Sequence, residues 1–225
     1  MSQSYLHISN VRKSYPDPES GALKMVLDID DFRLESGSQV AIAGSSGGGK
    51  TTLLHCIAGI VTPDGGSIDI SGTDIGKLRE RKRDRFRANH IGYVYQTFNL
   101  IQGFTALENV MLGMLFSGKG VNKDKAEALL VQMGLKDRLH YKPSQLSVGQ
   151  QQRVSIARAV VNDPELVLAD EPTGNLDPAS SEEALALLKE VTKGKMLLLV
   201  SHEQDVLDRF DRVVALHDIN RATMS

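Results

Sequence analysis

The run Gly44-Ser45-Ser46-Gly47-Gly48-Gly49-Lys50-Thr51 carries the chemistry of phosphate binding. It fits the spacing G-x-x-x-x-G-K-[ST]. Glycines at 44, 47, 48 and 49 let backbone N–H groups turn inward around phosphate oxygens without Cβ clashes. A helix beginning at Lys50 would point its free N–H groups and positive dipole end at the same anion. Lys50 is the expected cation for the β- and γ-phosphates, and the Thr51 hydroxyl an expected Mg²⁺ ligand. Ser45, Ser46 and Thr52 complete the candidate nucleotide-binding set. Alone, the run says only that a nucleotide phosphate binds.

A second constellation lies further on. Leu166-Val167-Leu168-Ala169 is apolar and ends in Asp170-Glu171, followed by Pro172-Thr173-Gly174-Asn175-Leu176-Asp177. Asp170 matches the position that holds Mg²⁺ in phosphate-loop ATPases, usually through water. Glu171 is placed to polarise an attacking water, a role typically worth about 10² to 10⁴ in rate. A strand ending in solvated acids is the bland alternative; the phosphate loop upstream argues against it.

The elements that must position these groups can be read from periodicity. Tyr5 to Val11 and Met25 to Leu34 read as strands, separated by a turn from Pro16 to Gly21. Residues 39–43 form a short buried strand feeding the glycine loop, and residues 50–60 a helix. Residues 67–70 and 91–95 read as strands. Residues 105–162 are mostly helical, with Ala126, Leu129, Leu130 and Met133 at helical spacing. Strands at 165–169, 196–200 and 212–216 alternate with helices at 178–191 and 203–209. Asp177 is the expected cap of the helix opened by Pro178, with Glu182 and Glu183 suited to its positive end. Residues 79–87 hold six basic and two acidic side chains. They read as a solvated helix with pairs Glu80–Arg83 and Arg81–Asp84, or as a contact with anionic lipid headgroups.

At 225 residues the chain suits one α/β domain. A net charge of −2 gives no bulk attraction to nucleic acid. The single cysteine, Cys56, excludes an intramolecular disulfide, fits a reducing compartment, and reads as a small buried hydrophobe. The opening residues 1–7 show no secretory signal, and no apolar stretch is long enough to span a bilayer. The expectation is a cytoplasmic chain with no regulatory domain appended after Leu216.

A third run, Gln145-Leu146-Ser147-Val148-Gly149-Gln150-Gln151-Gln152-Arg153, makes the pattern specific. With it, nearly the whole chain resembles the ATP-binding cassette (ABC) ATPases. The stretches 91–100, 105–110 and 169–177 are most similar to the group of lipoprotein-release, macrolide-export and cell-division ATPases. The resemblance implies a P-loop NTPase core of ABC type, with an antiparallel β subdomain and a helical lobe near residues 97–162. It implies ATP hydrolysis with Mg²⁺, a homodimer that sandwiches ATP, and separate transmembrane permease subunits, the chain lying peripherally on the cytoplasmic face of the membrane.

Site roles follow residue by residue. Ser147 and Gly149, with Gln150 beside them, match the signature that closes over the γ-phosphate held by the other subunit. Gln96 matches the glutamine that touches Mg²⁺ and the attacking water, and His202 the histidine that senses the γ-phosphate. Tyr15 is a candidate for stacking on adenine, or an anchor for the turn before Pro16. The other histidines show no ligand spacing. Val148 departs from the family's usual glycine. A β-branched residue resists positive φ, so the backbone there is expected to be extended or the clamp slightly altered. Two other functions stay open: a soluble ABC ATPase acting on DNA or ribosomes, and a regulator that closes on ATP but hardly hydrolyses it. One cassette without a coiled-coil insertion or basic excess disfavours the first; Glu171 disfavours the second.

Overall fold

The computed structural model describes residues 4–18 and 20–223, so Glu19 in the expected 16–21 turn and residues 1–3 of the opening segment lie outside the described residues. Two long strands open the chain, β1 (Tyr5–Pro16) and β2 (Leu23–Glu35), paired antiparallel from Tyr5↔Glu35 to Pro16↔Leu23. The short strand β3 (Gln39–Ala43) leads through the glycine loop into α1 (Lys50–Ile57). That helix stops before residue 60 because Gly59 sits at φ 64. There Gly59 N–H donates to Cys56 O and Ile60 N–H to His55 O, satisfying the last carbonyls. Strands β4 (Gly65–Ile70) and β5 (Thr73–Asp74) join the first pair in the order β2-β1-β4-β5.

Next come α2 (Glu80–His90), β6 (Ile91–Val94), α3 (Ala106–Leu112), α4 (Lys123–Gln132) and α5 (Val148–Val160). They are followed by β7 (Leu166–Asp170), α6 (Pro178–Val191), β8 (Met196–Ser201), α7 (Gln204–Leu207), β9 (Arg212–Ala215) and α8 (Leu216–Ile219). The second sheet is parallel in the order β6-β7-β8-β3-β9. Its middle strands are covered on both faces, which is why β7 and β8 are apolar without polar alternation.

The two-residue period of those strands divides the interior. Leu166, Leu168, Leu198 and Val200 join Leu6, Ile8, Leu27, Ile29 and α1 in one core under the antiparallel sheet. Val167, Ala169, Leu197 and Leu199 face the other way and pack with α3 to α6. The helices between β6 and β7 therefore share a core with the parallel sheet. Cys56 is fully buried, and burial pushes its thiol up to about 11.

The expected pairs on α2 are not the ones formed. Asp84 holds Arg87 at 2.6 Å, Arg87 also donates to the Ala58 and Gly59 carbonyls, and Arg83 donates to the Thr62 hydroxyl. Tertiary partners on the loop after α1 outcompete pairs along the helix. Asp177 does cap α6 by accepting from Ser180 N–H, with Pro178 at the first position. Glu182 and Glu183 lie beyond the first turn and instead meet Arg209 and Arg153.

Candidate active site

In an open parallel sheet, ligands bind outside the carboxyl ends of the strands. Here the register brings four such ends together. Ala43 of β3 is level with Ser201 of β8, Asp170 of β7 with Val200, and Val94 of β6 with Ala169. The phosphate loop, the acidic pair, His202 and Gln96 each follow one of those strand ends. The result is a cleft of about 330 Å³ lined by Val26, Ser46, Gly47, Gly49, Lys50, Thr51, Thr52, Gln96, Glu171 and His202.

Two glycines of the loop need to be glycine. Gly47 and Gly49 have φ of 78° and 97°, and a Cβ on Gly49 would come within 3.0 Å of the Val26 carbonyl oxygen. Lys50 is almost fully buried. Its ammonium donates to the carbonyls of Gly44 at 2.7 Å and Ser45 at 3.0 Å, and lies 3.2 Å from Glu171 Oε1. The Thr51 hydroxyl donates to Asp170 Oδ1 at 3.2 Å, and Tyr93 OH approaches Asp170 Oδ2 at 3.4 Å.

Glu171 is the most constrained group. Its φ is 44°, an uncommon conformation for a residue with a Cβ. Oε2 accepts from the Ser201 hydroxyl at 3.1 Å and from His202 N–H at 3.3 Å, while Oε1 lies 2.8 Å from His202 Nδ1. Burial raises its pKa, but hydrogen bonds from His202 and Lys50 outweigh that and hold the carboxyl below its ordinary value. Asp170 moves the other way: burial raises it, and the bond from Thr51 only partly compensates. Burial, then the charge of Asp170, pushes the Tyr93 phenol upward.

The donor set suits Mg²⁺. Among the described residues there is no group of three or more His, Cys, Asp or Glu side chains able to cage a metal. Mg²⁺ does not need one, since it commonly uses one or two carboxylates with waters and substrate phosphates. Thr51, Asp170 and Gln96 offer hard oxygens beside the phosphate cradle.

Not every expected residue meets here. Ser147, Gly149 and Gln150 do not line this cleft. Ser147 is exposed and is the N-cap of α5 in a reciprocal box: it accepts from Gln150 N–H at 3.2 Å, and its own N–H donates to Gln150 Oε1 at 3.0 Å. Val148 is the first residue of the helix and is not among the positive-φ residues. The backbone there is helical, which corrects the expectation of an extended backbone at this position. Tyr15 also lies outside the cleft lining, half-exposed at the end of β1, opposite Lys24 and with the Lys13 ammonium 5.4 Å from its ring centroid.

Sequence reasoning missed Val26 and Ser201, which carry no motif and enter only through strand order, and Tyr93, which lies inside the stretch 91–100 without having been given a role. It also missed Gln152, buried in α5 and donating to the Pro172 carbonyl at 2.5 Å, and Asn175, which donates to the Gln96 carbonyl at 2.8 Å. Both lie inside runs the sequence had marked, so adjacency to a motif was the available signal.

Residues 27–174 match the family described as ABC transporter. The chain is 43% identical over 222 residues to the lipoprotein-releasing system ATP-binding protein LolD of Legionella pneumophila (strain Paris), covering 97% of each. It is 39% identical to the macrolide export ATP-binding/permease protein MacB of Bdellovibrio bacteriovorus, covering 95% of this chain and 33% of that longer protein. The fold superposes with a TM-score of 0.84, at 35% identity and 94% coverage of both chains, on the ATP-binding cassette MJ0796 in a dimeric post-hydrolysis state bound to ADP and Pi.

Proposed function

This chain belongs to the ABC transporter family as an ATP-hydrolysing cassette, and from that premise we propose that it works as a LolD-like homodimer driving separate permease subunits from the cytoplasmic face of a membrane. One observation carries the mechanism. Lys50, Thr51, Gln96, Glu171 and His202 converge on a single cleft, while Ser147 and Gly149 stand exposed or half-exposed away from it. A signature that cannot serve its own cleft is supplied to a second copy's.

The loop amides and Lys50 bind the β- and γ-phosphates of ATP, with Ser45, Ser46 and Thr52 alongside. Thr51, Asp170 and Gln96 would hold Mg²⁺, which supplies positive charge against the phosphates. Glu171 accepts a proton from the attacking water. It begins tied to Lys50 at 3.2 Å and to His202 at 2.8 Å, so it acts once Lys50 has turned to phosphate. His202 steadies the γ-phosphate. Ser147 and the Gly149 backbone close the partner's site, where the free N–H groups of α5 favour an anion. The cargo class follows the similarity to LolD and MacB, with force transmission across the membrane as well as passage of a substrate within its range. No helix among the described residues is long and apolar enough to cross a membrane.

The test uses Glu171→Gln with Mg²⁺ and ATP. Light scattering after size exclusion is expected to show a doubled mass that reverts when nucleotide is removed, and the same variant used as bait on native membranes is expected to recover a polytopic protein. A monomer under saturating ATP, or recovery of ribosomes or DNA instead, overturns the proposal.

A further inference from the structure

We propose that Arg158 is a positioning residue for Gln96, clamping the segment that leaves β6 in a backbone conformation it would not otherwise keep. The inference rests on the role proposed above for Gln96. Two consecutive residues in that segment, Phe98 and Asn99, have φ of 58° and 49°. For asparagine this conformation is tolerated; for a bulky aromatic it is a true outlier, and such residues persist only where the surroundings over-determine them.

The guanidinium of Arg158 supplies that determination. One terminal nitrogen donates to the Phe98 carbonyl and the other to the Asn99 carbonyl, each at 2.6 Å. A planar fork with fixed donor directions fits two adjacent carbonyls in a way a lysine ammonium cannot. No carboxylate pairs with Arg158 among the described residues, so its hydrogen bonding is directed at this backbone.

The arginine itself cannot drift. A Cβ on Gly92 of β6 would fall 2.4 Å from the Ala159 carbonyl oxygen, so helix and strand touch backbone to backbone beside it. Asn162, just past the helix, donates to the Ala88 and Gly113 carbonyls. On its other side the segment is pinned by Asn175, whose amide donates to the Gln96 carbonyl from the loop that follows Glu171. Gln96 is thus held between a clamp from α5 and a tether from the loop bearing the catalytic carboxylate. Ser147 caps the same helix about three turns from Arg158, so the clamp joins the end offered to a partner's phosphate to the glutamine of the chain's own site.

Steady-state hydrolysis against ATP and Mg²⁺ concentration, with nucleotide affinity measured separately, tests this in four proteins: wild type, Arg158→Lys, Gln96→Ala and the double variant. Arg158→Lys is expected to lower kcat about tenfold and to raise the Mg²⁺ needed for half-maximal rate, with ATP affinity within about twofold of wild type, a lost orienting interaction of about 1.4 kcal/mol. In the Gln96→Ala background the same change is expected to do almost nothing further. Asn99→Gly, which accepts the left-handed backbone without strain, is expected to restore part of the Arg158→Lys loss.

Full additivity of the two losses, or an Arg158→Lys protein with unchanged kcat and Mg²⁺ dependence, overturns the clamp while leaving Gln96 in its role. A Gln96→Ala protein at wild-type rate removes the role itself and the proposal with it. If Arg158→Lys does not fold, Asn175→Ala together with Asn99→Ala is read the same way, and retention of wild-type kcat there counts against the clamp.

Discussion

Glu171 combines a left-handed backbone, three tethering side chains and the position expected to activate water, and its protonation links activity to stability. Glu171→Gln is expected to keep nucleotide binding and to lower hydrolysis by about 10² to 10⁴, the usual worth of a general base; phosphate release and fluorescent-nucleotide affinity check both halves. The folded carboxyl sits below its ordinary 4.5 although burial pulls upward, because His202 and Lys50 bind its charged form. A depressed acid contributes stability above its unfolded pKa and loses it as pH falls through the folded value. The gap in unfolding free energy between wild type and Glu171→Gln should therefore be widest near neutrality and close below pH 4.5, as urea titrations at pH 7 and pH 4 would report. Glu165 extends the argument away from the cleft. The His90 ring at 2.8 Å, with the Ser71 hydroxyl at 2.7 Å, draws its carboxyl down to about 2 against the opposing effect of burial. Replacing it with glutamine is expected to destabilise the protein at pH 7, with the difference shrinking between 4.5 and 2 and activity at neutral pH little changed. Neither contact was legible in the sequence: His90 carries no motif, and its partner lies on the far side of a crossover.

At the scale of elements, legibility depended on whether local chemistry and tertiary demand agreed. The helix Pro178–Val191 was readable to the residue because an aspartate cap and a proline at the first position both mark its start. The strands β7 and β8 were readable because burial on both faces leaves an unbroken apolar run bounded by polar residues. Ser147, matched in the sequence to a residue that faces a partner's phosphate, also caps its own helix, a second duty that the motif alone does not display. Substitution separates the two duties. Ser147→Ala is expected to cost about 1 kcal/mol through the lost cap and to lower hydrolysis. Ser147→Asp caps as well as serine, so stability should hold, while a carboxylate facing phosphate should abolish turnover; urea unfolding beside phosphate release distinguishes them. An aspartate variant hydrolysing at the wild-type rate would remove Ser147 from the phosphate site. Val148→Gly tests the corrected backbone: because the valine is already helical and half-exposed, turnover should stay within about twofold, with a loss of several tenths of a kcal/mol.

For the whole molecule, the proposed dimer divides the chemistry between two chains. Strand order gathers the phosphate loop, acidic pair, Gln96 and His202 in one cleft at the carboxyl ends of the parallel strands, and the sequence could list these groups but not their convergence. The order β6-β7-β8-β3-β9 depends on which strands pair across long crossovers, and spacing along the chain does not encode it. The exposed Ser147 stays outside that cleft, and in the proposed two-fold dimer each signature lies over the partner's loop to make two composite sites. Mixing then becomes diagnostic. A Lys50→Ala chain lacks a working loop but keeps its signature; a Ser147→Asp chain keeps its loop but spoils its signature. Each alone is expected to be inactive. Mixed in equal amounts, half the dimers are heterodimers with one intact site, so activity should rise to about a quarter of wild type if sites fire independently. Dilution below the dimerisation range should abolish the gain. A mixture no more active than its separate components would refute independently firing composite sites, and activity unchanged on dilution to monomers would return the signature to the chain's own cleft.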